Sequence, residues 1–197
     1  AGTSEELPGE ALRGQREEFV VATKFGMDMG GANGADHGAR ASRRYVRRAV
    51  EASLRRLRTD HIDLYQLHHP DGITPIEETL SALTDLVREG KIRYLGCSNF
   101  AGWQLADAAW TSRTAGLESF VSVQNRYSLL DRTIEAEVTP ACEEFGVGIL
   151  PFFPLEFGLL TGKYRRGAAA PVGSRAALDP TRAQWLENAD WDRIEAL

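Results

Sequence analysis

Five apolar runs bounded by turn residues recur along this chain: Phe19 to Gly26, Ile62 to His68, Ile92 to Ser98, Phe120 to Gln124 and Val147 to Phe153. Their near-continuous apolarity suits strands buried on both faces, as in a parallel sheet. After a longer first interval the runs start about every thirty residues. Helical patterns fill the gaps, and that alternation specifies a parallel sheet with helices outside. A barrel and an open doubly wound sheet both satisfy it. No Gly-rich dinucleotide fingerprint follows any of the runs, which weighs against the Rossmann variant.

The clearest helix begins at Thr74. Thr74 is the expected N-cap, Pro75 takes the first helical position, Glu77 completes a capping box and Gly90 stands just past the end. Ile76, Leu80, Leu83, Leu86 and Val87 form its apolar stripe. A helix starting near Ser42 repeats the pattern with Val46, Ala49, Val50, Leu54 and Leu57, and a later one carries Ile134, Val138, Ala141, Cys142 and Phe145 before Gly146. Thr3 to Glu6 reads as a capping box opening another helix, with Pro8 removing one backbone bond inside it. Pro180 to Leu197 also reads as helix. The long first interval holds Met27 to Ala41, glycine-rich and compatible with either a lid over the strand ends or a tolerated insertion.

With 197 residues, 43% of them hydrophobic, the chain can bury one substantial core, and a single domain over 1–197 is expected. Twenty-eight acidic against 23 basic side chains argue against nucleic acid as a general partner; the basic run Arg40 to Arg58 reads as a solvated helix face. Cys97 and Cys142 are too few for a disulfide framework and lack metal-ligand spacing, so buried thiols in a reducing compartment are expected. No apolar run approaches the roughly 20 residues that span a membrane. The polar start Ala1 to Glu6 is no signal peptide, and a cytoplasmic protein with no membrane and no metal is expected. A closed eight-stranded barrel takes about 250 residues. With some five strands, a helix opening the chain and another closing it, the sequence looks like an internal fragment, truncated at both ends.

The chemistry concentrates at the strand ends. Asp63 to Pro70 delivers His68 to the carboxyl end of one run, and Thr23-Lys24-Phe25-Gly26 delivers a lysine to the end of another. In a βα barrel that rim carries the active site. Alone, Lys24 reads as a nucleophile, a phosphate contact, a charge acting on a neighbouring acid or a snorkelling side chain. His68 alone reads as structural. Ser98, Asn99 and Gln124 end the next two runs, with donors and acceptors suited to clasping a planar amide such as a nicotinamide carboxamide. Ser-Asn after a strand also makes a good turn and helix cap.

Ala22 to Gly26, Asp63 to Pro70, Gly90-Lys91-Ile92-Arg93-Tyr94-Leu95-Gly96-Cys97-Ser98-Asn99-Phe100, and Pro154-Leu155 with Gly158 to Tyr164 together resemble the aldo-keto reductase family, over Ser4 to about Leu178. The resemblance implies a (β/α)8 TIM barrel that reduces aldehydes or ketones with NADPH and no metal. A tyrosine donates the proton, a lysine lowers its pKa, an aspartate pairs with the lysine and a histidine orients the carbonyl. Lys24 matches the lysine, and His68, rather than His69, the histidine. Ser98, Asn99 and Gln124 would hold the carboxamide, and Phe152 would stack on the nicotinamide in place of the usual Tyr or Trp. Phe153, Pro154 and Leu155 would line the pyrophosphate, with Lys163 and Arg175 nearby. Glu156 and Phe157 replace small residues, so a bulkier, more acidic loop is expected there.

The family's aspartate and tyrosine fall in a motif ending just before Thr3, and its last strand beyond Leu197; both are expected outside this chain. Tyr65 is a poor substitute, because three residues along a strand separate opposite faces. The implied partner is a small carbonyl substrate. A nicotinamide-binding regulatory subunit and an inactive partial barrel are the other readings.

Overall fold

The computed structural model describes residues 2–196. Where the sequence suggests one domain over 1–197, internal contacts group the chain into two compact units: Ala1–Asn125 with Glu135–Leu150, and Arg126–Ile134 with Pro151–Leu197.

The first unit alternates strand and helix as α1 (Thr3–Ala11), β1 (Ala22–Phe25), α2 (Arg43–Leu57), β2 (Ile62–Leu67), α3 (Ile76–Arg88), β3 (Ile92–Ser98), α4 (Gly102–Ala115), β4 (Phe120–Gln124), α5 (Val138–Phe145) and β5 (Gly148–Ile149). All five strands pair in parallel in the order β1-β2-β3-β4-β5. The edge strands are shorter than their apolar runs. Among the described residues β1 has one neighbour, and Phe19 and Val20, 46% and 85% exposed, precede it outside the ladder.

Register divides the side chains cleanly. Lys24 lies opposite Gln66, Gln66 opposite Gly96, Gly96 opposite Ser122 and Ser98 opposite Gln124, so these positions share one face. The alternate positions Phe25, Tyr65, Leu67, Cys97 and Val123 are buried on the other face, with the apolar stripes of α2 and α3. Phe25 stacks on Tyr65 with ring centroids 4.7 Å apart. Cys97 and Cys142 are both buried free thiols. Burial pushes the Cys97 thiol well up.

A buried charge cluster anchors the start of β2. Asp63 accepts from Arg16 at 2.7 Å and from the Val21 N–H at 2.9 Å, and pairs with Arg93 at 3.0 Å. Burial opposes its ionisation, but the Val21 amide, Arg16 and Arg93 together hold the carboxyl below its ordinary range. Glu5 does the equivalent for α1: it pairs with Arg56 of α2 at 2.5 Å and accepts from Thr23 of β1 at 2.7 Å. The two helices meet closely at Gly9, where a Cβ would stand 2.5 Å from the Arg56 carbonyl oxygen.

Several expected caps form differently. Gly2 is the N-cap of α1, and Thr3 is already helical, so no Thr3–Glu6 capping box exists; the helix continues through Pro8 to Ala11. Pro75, not Thr74, caps α3, because Asp71 takes the Thr74 N–H at 2.7 Å and its hydroxyl at 2.8 Å. Ser42 does precede α2, and Gly146 ends α5 in the left-handed conformation, both as expected. In the long first interval, Arg40 bridges Asp28 at 2.9 Å and Asp36 at 2.8 Å.

The second unit holds a single-turn-type helix over Glu156–Thr161, then α6 (Arg175–Leu178), α7 (Pro180–Glu187) and α8 (Trp191–Glu195). The expected terminal helix is thus two, and Asp190 caps the second by accepting from the Arg193 N–H; Leu197 lies outside the described residues. Leu159, Tyr164 and Ala176 form the core here, packed against Leu186, Trp191 and Ile194. Among the described residues no helix is long and apolar enough to cross a membrane.

Removing the Asp63 carboxylate takes the acceptor from the Val21 N–H and a charge partner from the largely buried Arg16. Asp63→Ala should destabilise the protein by about 3 kcal/mol, the cost of breaking a buried pair from one side. In the unsubstituted protein, Asp63's contribution is fully present above the ordinary carboxylate pKa and is lost as pH falls through its depressed native value. Urea denaturation at several pH values should show that acid loss diminished in Asp63→Ala.

Candidate active site

Lys24 and His68 line one cavity of about 380 Å³, shared with Met27, Met29 and Asn33 of the long loop and Tyr45 of α2. The loop is fastened there, since Asn33 donates to the Tyr45 hydroxyl at 3.4 Å and that hydroxyl donates to the Met27 carbonyl at 3.2 Å. The interval is therefore a wall of the cavity rather than an idle insertion.

Lys24 is the third residue of β1 and is half-buried, and burial lowers its pKa. Among the described residues no carboxylate pairs with it. His68 follows β2 directly, with its ring stacked on His69 at 4.9 Å. Burial first, then the neighbouring His69 and Lys24 charges, depress the His68 pKa. The ring is neutral at pH 7, a hydrogen-bonding group and not a charge. Tyr65 is wholly buried on the opposite face, with its phenol pushed up by burial. It does not share the Lys24 cavity.

The strand ends beyond β2 are stitched together by the residues expected to clasp an amide. The Ser98 hydroxyl donates to the Gln124 carbonyl at 2.6 Å, and the Asn99 N–H donates to the same carbonyl at 3.1 Å. Asn99 adopts a left-handed backbone with φ of 59°, a conformation asparagine tolerates better than most residues. Its Nδ2 donates to the His68 carbonyl at 2.9 Å and to Ser98 Oγ at 3.0 Å. Ser98 and Asn99 thus hold β2, β3 and β4 in place, and the Asn99 Oδ1 accepts nothing among the described residues. Gln124 Oε1 accepts from Gln66 Nε2 at 3.5 Å. Gln66 is absent from the sequence-level site; its signal was a polar residue inside an apolar run, opposite a glycine once the register is known.

The second unit contains the remaining candidates. Phe152 is half-buried, whereas Phe153, Pro154 and Leu155 are exposed. Phe153 has φ of 54° and packs its ring 3.9 Å from Phe157, which in turn lies 3.8 Å from Trp185. Lys163 is exposed with Nζ 5.0 Å from the Tyr164 ring, and Arg175 is exposed at the start of α6. The expectation of a more acidic loop needs correcting: Glu156 is buried, paired with Arg126 and bonded by the Ser128 hydroxyl at 2.9 Å. Its charge is compensated by a residue thirty positions earlier, which local sequence cannot reveal.

Comparison with known proteins agrees with this geometry. The aldo/keto reductase family model matches residues 1–194, and the chain belongs to that family. It is 43% identical over 181 residues to an uncharacterized oxidoreductase, YrpG, of Bacillus subtilis (strain 168), covering 90% of this chain and 55% of that protein. It is 37% identical over 203 residues to a probable aldo-keto reductase 1 of Glycine max, covering 100% of this chain and 56% of the relative. Identity to the aldo-keto reductase dtxS3 of Metarhizium robertsii is 46% over 155 residues, 78% of this chain and 41% of that one. The chain spans about half the length of the curated relatives it matches. The family fold is a (β/α)8 barrel, and the five consecutive parallel strands are part of one.

Because Lys24 depresses the His68 pKa through its charge, Lys24→Met should raise it. The value should stay below the usual imidazole pKa of about 6.5, since burial is the larger cause. NMR titration of the His68 ring protons checks both statements.

Proposed function

We propose that the protein containing this chain reduces aldehydes or ketones to alcohols with NADPH. The observation that carries the reading is the placement of Lys24 and His68 in one cavity at neighbouring strand ends, with Asn99 bonded to the His68 carbonyl. When bound, the nicotinamide supplies a hydride to the carbonyl carbon.

The residues present fit a nicotinamide. Its carboxamide has one acceptor and one pair of donors, and the two strand-end amides retain complementary groups: Asn99 Oδ1 and Gln124 Nε2 make no bonds to the described residues, while their other ends are occupied. Lys163 and Arg175 are exposed cations of the kind that hold phosphates, and the choice of NADPH over NADH rests on the family resemblance alone.

A neutral His68 donates a hydrogen bond to the substrate oxygen, fixing the carbonyl and polarising it. The proton for that oxygen comes, by family resemblance, from a tyrosine outside this chain. An unperturbed phenol has a pKa of about 10, and the Lys24 ammonium within the same cavity lowers it toward neutrality. Tyr65 has no part in this, being buried on the far face. Burial of Lys24 adds to the effect, because the ammonium acts through a medium of lower dielectric than water. Substrates are small aldehydes and ketones, and a cytoplasmic setting suits the buried free thiols.

Two outcomes are expected with the full-length protein. NADPH oxidation by an aromatic aldehyde should be catalytic, and Lys24→Met should lower kcat about 100-fold or more with little change in NADPH affinity. Loss of affinity with kcat preserved would contradict the role given to Lys24. Turnover should also hold level through neutral pH and decline only below about 6.5, where the imidazole begins to protonate. A decline beginning above pH 7 would contradict a neutral His68.

A further inference from the structure

The loop that brings Met27, Met29 and Asn33 to the Lys24 cavity is tied at its near end by the Tyr45 hydroxyl. Its far end is held by a residue with no role so far. Asp71 lies three positions after His68, in the segment that joins β2 to α3. One of its carboxylate oxygens accepts from the Ile73 N–H at 2.9 Å and the Thr74 N–H at 2.7 Å. The other accepts from the Thr74 hydroxyl at 2.8 Å and, thirty residues back along the chain, from the Ala41 N–H at 2.8 Å. The Ala41 carbonyl is taken too, by the Thr79 hydroxyl of α3 at 3.0 Å. Ala41 is 2% exposed and buried backbone groups need partners, so these two bonds fix where the loop ends. Burial opposes the ionisation of Asp71, but the Thr74, Ala41 and Ile73 amides together hold its carboxyl below the ordinary range.

That anchorage matters because the loop has little stiffness of its own. Four of its residues, Gly30, Gly31, Gly34 and Gly38, are glycines in the left-handed region. Inside it Arg40 ties Asp28 to Asp36, but those bonds join the loop only to itself. Asp71 joins it to the segment that carries His68. The side chains held in this way are apolar: Met27 and Met29 are the chain's only methionines, and both line the cavity. A methionine adapts to the shape of an apolar group, and it discriminates between groups only when the backbone behind it is fixed. We propose that Asp71 is a positioning residue that locks the Met27–Ala41 loop against the His68 strand end, making Met27 and Met29 the surface that receives the substrate's apolar substituent. Substrates with an extended apolar substituent are then favoured over the smallest aldehydes. This rests on the carbonyl reduction proposed above.

The test compares steady-state reduction of hexanal and propanal by the full-length protein with NADPH. The unsubstituted protein should show the lower KM for hexanal. Asp71→Asn replaces one of two acceptor oxygens with an NH2 group, which accepts nothing, and should raise the ratio of hexanal KM to propanal KM about tenfold. NADPH affinity, read by fluorescence titration, should stay the same. Thr79→Val removes the other bond to Ala41, should shift the ratio in the same direction, and serves if Asp71→Asn folds poorly. Met27→Ala/Met29→Ala should abolish the preference. Adding Asp71→Asn to that pair should move the ratio no further, because Asp71 acts through the methionines. An unchanged ratio in Asp71→Asn and Thr79→Val, a further shift in the triple variant, or a preference that survives loss of both methionines would overturn this proposal alone. A protein that oxidises NADPH with neither aldehyde would remove the carbonyl-reduction reading as well.

Discussion

The parallel ladder, with its two-residue period, is the constraint on which the remainder of the structure depends. Pairing Lys24 with Gln66, Gln66 with Gly96 and Ser98 with Gln124 sends every functional side chain of the first unit to one face. A slip of one residue in any pair would exchange that row for Phe25, Tyr65, Cys97 and Val123, whose burial against the helices pins the register. Core packing and site geometry are thus two sides of the same constraint. The buried Asp63 cluster reinforces it by tying Arg16, Val21 and Arg93 around the foot of β2.

Near the other end of the strands, the hydrogen bonds of Ser98 and Asn99 divide structural from ligand-directed groups within single residues. Ser98 Oγ and Asn99 Nδ2 bind strand to strand, and what they leave is a small set of oriented donors and acceptors. Such preorganisation means little must rearrange on binding. His68 fits the same pattern: its depressed pKa keeps it a hydrogen-bonding ring, while the half-buried Lys24 supplies the positive charge.

Much of this was legible in sequence. The apolar runs located β2, β3 and β4 almost to the residue, because most positions of a central strand are buried and its composition reports it. The runs at Phe19 and Val147 overstated β1 and β5, since an edge strand pairs on one side and its apolar neighbours need not join the ladder. Local rules failed where a competitor lay outside the local window. Asp71 took the Thr74 amide and hydroxyl while Pro75 capped α3, and Arg126 neutralised Glu156 from thirty residues away. Gln66 escaped notice because its burial is a property of register: beside Gly96 it becomes a large residue filling the space of a missing one.

The most direct measurement is a crystal structure of the full-length protein with NADP bound. The account predicts the carboxamide within hydrogen-bonding distance of the Asn99 and Gln124 side chains, with Lys24 and His68 beside the nicotinamide. A dinucleotide bound with its nicotinamide away from these strand ends would contradict it.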